Sequence, residues 1–251
     1  MKTRLKINPS YSALSDWLSQ LPDDFGRGTV IYRGRNEIRR FTAPDGTDLV
    51  VKRFGRLPLL RRVIYSTVVR SKASRSFDYG KRYLDLGFNT PEPVASIELL
   101  KGGILADAYY VSLYSPAEPL FGPLVKADRF DSALADEVAQ LMIDLHAKGA
   151  IHGDPNLKNI LYHRGDDASV TLSLIDTNRS SFHRHISKRA ALKNLMRVSH
   201  RRDLMRQIAG RYATLRGLDP IKTVDKVFAS LNRFERNRSF RHRLKHIFGI
   251  N

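Results

Sequence analysis

Between Gly28 and Phe54, apolar and polar residues alternate in three short runs, "GTVIYRGRNEIRRFTAPDGTDLVVKRF", separated by the turn-forming "RGRN" and "APDG". Period-two alternation broken by Gly, Asn, Asp and Pro predicts an antiparallel meander of three strands. A basic stretch with a helical pattern follows, "LLRRVIYSTVVRSKASRSFDYGKRYLDLG", which Gly87 ends. The prolines of "NTPEPVASIELL" stop that helix and introduce another strand, and "AYYVSLYSP" (108–116) is a further strand closed by Pro116. The Pro- and Gly-rich "SPAEPLFGPL" predicts a hinge, dividing the chain into lobes of residues 1–115 and 116–251.

Beyond the hinge, Leu134, Val138, Leu141, Met142 and Leu145 fall on one face of a helix in "DSALADEVAQLMIDLHAKG", and Gly149 can supply its left-handed end. "NILYHR" and "VTLSLID" read as two strands around a "GDDAS" turn. From about residue 186 to 248 the pattern is mostly helical, with its clearest break at Gly217-Leu218-Asp219-Pro220. Tyr212, Phe228, Phe234, Phe240 and Phe248 read as core residues of these helices. The fold class expected is α+β, an antiparallel-sheet N-lobe followed by a mainly helical C-lobe.

A chain of 251 residues can bury a full core. The absence of cysteine excludes disulfides, a thiolate nucleophile and Cys-ligated metal sites, and fits a reducing, cytoplasmic setting. No apolar run reaches the 18 or so residues that a membrane span requires, and the N-terminus has no signal-type apolar region. The net charge of +18 is concentrated: residues 179–251 carry 19 Lys and Arg against 4 Asp and Glu. Such a surface attracts a polyanion, whether nucleic acid, anionic lipid or an acidic glycolipid. The tail lacks an interleaved aromatic platform for stacking bases, which argues against nucleic acid.

The chemistry-bearing residues stand in "IHGDPNLKNILY" (151–162) and in "LIDTNR". Phosphoryl transfer needs metal ions held on the phosphates, a cation on the non-transferred oxygens and a carboxylate orienting the acceptor hydroxyl. Lys52 on the third strand of the meander, Asp154 and Asn159 in H-x-D-x-x-x-x-N spacing, and Asp176 at the end of a later strand supply these groups in kinase order. A simple turn at Asp154-Pro155-Asn156 would not account for Asn159 and the two strands that follow.

These strings, with "VVKRF" and "NTPEPVA", resemble the protein-kinase-like superfamily. Within it they are similar to the small bacterial lipopolysaccharide core kinases that act on Kdo or heptose, the Kdo/WaaP family. The resemblance runs from about Gly28 to Arg179. It implies a two-lobed protein-kinase-like fold, with ATP and Mg²⁺ as cofactors. It implies further that Asp154 orients the acceptor hydroxyl with Asn156 beside it, that Asn159 and Asp176 hold Mg²⁺, and that Lys52 contacts the α- and β-phosphates. His152 would brace the loop, the adenine would meet backbone groups near Tyr114 to Ala117, Tyr114 and Ser115 foremost, and Arg179 and Lys158 would face the acceptor.

Two positions depart from the kinase pattern. No G-x-G-x-x-G occurs, so the turn able to cover phosphates is "YRGRN", with Gly34 followed by Arg35. The helical acid that ordinarily pairs with the strand lysine is replaced, by spacing from Gly87, by Ser76, and Asp78 lies about 200° around the helix. Either Asp78 reaches Lys52 by a shifted register or Lys52 has another partner.

Only 75 residues follow Asp176, without an A-P-E string, which leaves little room for docking a polypeptide and favours a sugar hydroxyl of an anionic glycolipid. The basic 179–251 region would then lie against the anionic inner membrane from the cytoplasmic side. A compact atypical protein kinase of the RIO type and a non-catalytic nucleotide-binding pseudokinase remain alternatives at this level.

Overall fold

A computed structural model of the chain describes residues 1–55, 58, 63–65, 69–167 and 169–247, the side chains of the last seven excepted. Much of the basic stretch before Ser71, and Phe248, lie outside the described residues. The chain divides into two compact units. The first comprises 1–117 together with 173–179, and the second 118–172 with 180–251.

The expected meander forms in the first unit as β2 (Thr29–Arg33), β3 (Glu37–Thr42) and β4 (Asp48–Arg53). It extends into a six-stranded antiparallel sheet through β1 (Lys2–Ile7), β5 (Pro93–Lys101) and β6 (Ile104–Leu113), in the order β1-β5-β6-β4-β3-β2. Alternation then sorts side chains by face. Leu49 and Val51 of β4 join Ile97, Tyr109 and Val111 in a core closed by Leu14, Leu18, Leu21 and Phe25, from α1 (Ser15–Asp24) and its flanking turns. The opposite face carries Phe54 and Ala108 against Ala73 of α2 (Lys72–Asp85). Ser71 caps α2 by accepting from Ser74 N, and Gly87, at φ +76°, ends it.

The second unit is built around α3 (Ser132–Ala147), capped by Asp131, whose buried Leu134, Val138, Met142 and Leu145 match the predicted face; Leu141 is half-buried. Gly149 follows at φ +73°, and a Cβ there would lie 1.9 Å from the carbonyl oxygen of His183. That close approach lets β8 (Ala150–Ile151) pair with β11 (Ser181–Phe182). A small sheet joins β7 (Glu118–Pro119), β9 (Ile160–Arg164) and β10 (Val170–Leu174). The helices α4 (Lys188–Leu195), α5 (Arg202–Leu215) and α6 (Pro220–Ile247) complete the unit. Of the aromatic residues read as core, Tyr212 is buried and Phe228 and Phe234 are half-buried, but Phe240 is 59% exposed. Phe240 stands near the end of the long α6, where apolar spacing does not imply cover.

Candidate active site

Lys52 occupies β4 opposite Ile38 of β3 and Tyr110 of β6. Because Val51 points into the α1-side core, Lys52 points to the other face, where its Nζ donates to Asp176 Oδ1 at 2.8 Å. Asp176 lies two residues beyond β10 at φ +57°, the one non-glycine residue with positive φ among the described residues. A short polar side chain tolerates this region at a modest cost, and such conformations gather at functional sites. The Asp176 carboxylate also accepts from Asn178 Nδ2 at 2.5 Å. The turn Thr177–Arg179 that follows is fastened to α2, where Thr177 Oγ1 donates to Ser76 O at 3.5 Å.

The partner of Lys52 is thus Asp176, and neither helical candidate takes that part. Ser76 is buried with its Oγ donating back to Lys72 O at 2.9 Å. Asp78 pairs instead with Lys6 and, at 3.0 Å, with Arg70. One turn before Ser76 stands Lys72, a residue that sequence reasoning missed. Burial first, then the positive charges of Arg35, Arg179 and Arg75, push its ammonium pKa down, while Asp176 pulls it back. Arg35, the exposed Arg179 and Asp176 therefore all lie near enough to Lys72 to act on its charge.

Gly34 and Arg35 occupy the β2–β3 turn, where Gly34 N donates to Asn36 O at 3.0 Å. Asn36 Oδ1 accepts from Gly55 N at 3.2 Å, pinning the turn to the chain that leaves β4. Tyr114 and Ser115 follow β6; Tyr114 N donates to Asp48 O at 2.9 Å, and the Arg40 guanidinium lies 4.0 Å from its ring centroid. Ser115 Oγ accepts from Ala117 N at 3.3 Å.

In the second unit the loop between β8 and β9 is over-determined by hydrogen bonds. Asp154 N donates to Nδ1 of the fully buried His152 at 3.2 Å. Asn156 Nδ2 donates to Asp154 Oδ1 at 2.8 Å and its own Oδ1 accepts from Lys158 N, so Asn156 holds the carboxylate while closing the turn. Asn159 Nδ2 donates to Asp154 O at 2.9 Å. That bond fixes the amide flip and leaves Asn159 Oδ1 without a hydrogen-bond donor among the described residues.

Two further residues, unmarked in the sequence, hold this loop from α4 and the turn that follows it. Asn194 Nδ2 donates to His152 O at 2.7 Å, and Arg197 donates to Gly153 O at 3.0 Å. Asn194 Oδ1 lies 3.2 Å from His146 Nε2, so that nitrogen carries the proton, and His146 Nδ1 accepts from Tyr212 OH at 2.9 Å. Burial pushes the His146 pKa down to about 4, keeping the ring neutral. The chain from Tyr212 to the catalytic-loop backbone is therefore a satisfied buried network, of the kind that fixes one arrangement.

Asp176 in the first unit and Asn159 in the second each carry an oxygen of the kind that Mg²⁺ takes. A carboxylate and an amide oxygen are hard oxygen ligands, and Mg²⁺ is ordinarily held by one or two carboxylates plus substrate phosphates rather than by a full protein cage. Among the described residues there is no group of three or more His, Cys, Asp or Glu able to hold a metal by themselves.

Residues 58–213 match the model of the Lipopolysaccharide kinase (Kdo/WaaP) family, more than half of the chain. The chain belongs to that family. As a Kdo/WaaP kinase it is a phosphotransferase with an alcohol group as acceptor. A solved structure of WaaP in complex with acyl carrier protein shares the kinase-like fold at a TM-score of 0.59, with 19% identity over 93% of this chain and 97% of that one. The Rio2 kinase from Chaetomium thermophilum in its ADP/Mg²⁺-phosphoaspartate complex is 18% identical, covering 90% of this chain and 77% of that one at a TM-score of 0.47. No curated protein sequence matches significantly.

Proposed function

We propose that this lipopolysaccharide kinase transfers the γ-phosphate of Mg-ATP to a sugar hydroxyl of the inner core, on Kdo or heptose, at the cytoplasmic face of the membrane. The observation that carries the reading is the braced loop of His152, Asp154, Asn156 and Asn159, because a positioned carboxylate beside a fixed amide oxygen is what hydroxyl activation and metal holding require. In this reading Asp154 orients the acceptor hydroxyl and takes its proton. Lys52 neutralises the α- and β-phosphates, and Asp176 and Asn159 are the metal-holding residues of their respective units. Gly34 and Arg35 cover the phosphates, and Tyr114 and Ser115 lie along the adenine. Lys158 and Arg179 are the candidates for binding the acceptor.

The basic 179–251 region supports a peripheral place on an anionic membrane. Within residues 179–238 every Lys and Arg except the half-buried Arg201 is exposed, and each can add about 1 kcal/mol near such a surface. No helix among the described residues is long and apolar enough to cross a membrane. The WaaP structure holds acyl carrier protein, and we propose a carrier protein as a second occupant of the basic face.

The test is transfer of labelled γ-phosphate from Mg-ATP to dephosphorylated lipopolysaccharide core and, in parallel, to a soluble-protein extract. Label in the glycolipid that is lost in Asp154→Asn is the expected result. Label in protein alone would replace this reading with a protein kinase.

A further inference from the structure

Within the second unit a cavity of about 360 Å³ opens at Asp154, a size typical of small-molecule sites. It is walled by Phe121, by Asp154 to Lys158 apart from Pro155, by the segment 196–201, and by Phe234 and Arg238 of α6. Asp154 is its sole carboxylate. Against it stand five cationic or potentially cationic side chains, which differ in what already occupies them.

Arg201 is committed to structure: its guanidinium donates to the carbonyls of Leu124, Val125, Ala127 and Asp128 and pairs with Asp203. His200 pairs with Glu235 at 2.9 Å. Lys158, Arg197 and Arg238 have no carboxylate partner among the described residues. Lys158 Nζ lies 4.4 Å from the Phe121 ring centroid, and the Arg197 guanidinium 5.8 Å from that of Phe234. Arg238 is one helical turn beyond Phe234, on the same face of α6. The wall thus offers two aromatic faces and three cations uncompensated by carboxylate, beside the carboxylate that takes the hydroxyl proton. Such a wall favours a sugar carrying a fixed negative group over a neutral one.

We infer that this cavity seats the acceptor, and that Lys158 and Arg238 determine specificity by reading a carboxylate or phosphate substituent of the sugar whose hydroxyl Asp154 orients. This rests on the kinase reading above and deepens it. Arg197 contributes charge but also braces Gly153, so its replacement would confound the loop with the pocket.

The test compares three acceptors: dephosphorylated core, the same core with its carboxylates reduced to alcohols, and phosphorylated core with its carboxylates reduced. Wild-type kcat/KM is expected to favour an acceptor bearing the anionic group at least tenfold over the one stripped of both. The anion-bearing acceptor that keeps the preference identifies its source. In the Lys158→Gln/Arg238→Gln variant the ratio collapses toward one; an equal ratio in both proteins, or a wild-type ratio near one, overturns the proposal. A second readout needs no phosphate transfer: calorimetric titration of nucleotide-free protein with free Kdo and with its methyl ester, and with inorganic phosphate. Anion binding in wild type that the double variant weakens at least tenfold supports the cavity even if no core is phosphorylated, an outcome that would remove the proposed function alone. Equal binding in both proteins overturns the cavity assignment whatever the kinase assay shows. Both side chains are exposed, so the variant is expected to keep the wild-type melting temperature.

Discussion

At the residue scale, Asp176 and Asp154 differ in what they hold. Asp176 receives Lys52 and Asn178 from a left-handed backbone, whereas Asp154 is steadied by Asn156. Asp176→Ala is therefore expected to abolish Mg-dependent nucleotide binding, read by calorimetry with and without chelator. Asp154→Asn is expected to keep binding and lower turnover by about 10²- to 10⁴-fold, the usual contribution of a positioned base. Retained turnover in both would refute the assignment. His146 gives a pH prediction. Its folded pKa of about 4 lies below the ordinary 6.5, so the unfolded chain binds the extra proton and stability rises with pH between those values. Lowering the pH from about 6.5 toward 4 should remove up to ~3 kcal/mol through this group. Chemical denaturation across that range measures it, and a flat profile in wild type would contradict the buried neutral ring.

At the scale of elements, Gly149 joins α3 to β8 with both a positive φ and no space for a Cβ. Gly149→Ala should destabilise the protein by more than the ~1 kcal/mol that conformation alone costs, and a denaturation midpoint within error of wild type would show that His183 gives way instead. The period-two runs and the Gly149 and Gly87 stops were legible in the sequence, because alternation and left-handed helix ends are local properties. The elements β1 and α1 were not read, although Leu14, Leu18, Leu21 and Phe25 recur at helical spacing; the 3₁₀ start at Pro9 and the proline inside α1 obscured it. The bracing of His152 and Gly153 by Asn194 and Arg197 could not be read, since it joins side chains some 40 positions apart with no local signature. The Lys52–Asp176 pair spans 124 positions, and the Ser76 departure pointed only to the need for some other partner.

At the scale of the molecule, the charge of the C-terminal region makes a membrane prediction. Exposed Arg184, Lys188, Arg189 and Lys193 cluster along one stretch before and within α4, and their replacement by Gln should weaken binding to anionic vesicles. The variant should also lose binding less steeply as salt rises, because fewer screened charges remain. Vesicle sedimentation across a salt series reads both effects, and unchanged binding would remove the membrane role of this region.

The first unit includes residues 173–179, contributed long after its other strands have been made. During synthesis, therefore, a ribosome that has delivered everything up to the end of β6 has still not supplied the carboxylate for Lys52 or the turn that fastens to α2. That unit can complete itself only after the loop carrying Asp154 has also been translated. A message truncated between codons 113 and 173 would encode all six strands of the large sheet, yet leave Lys52 without its carboxylate.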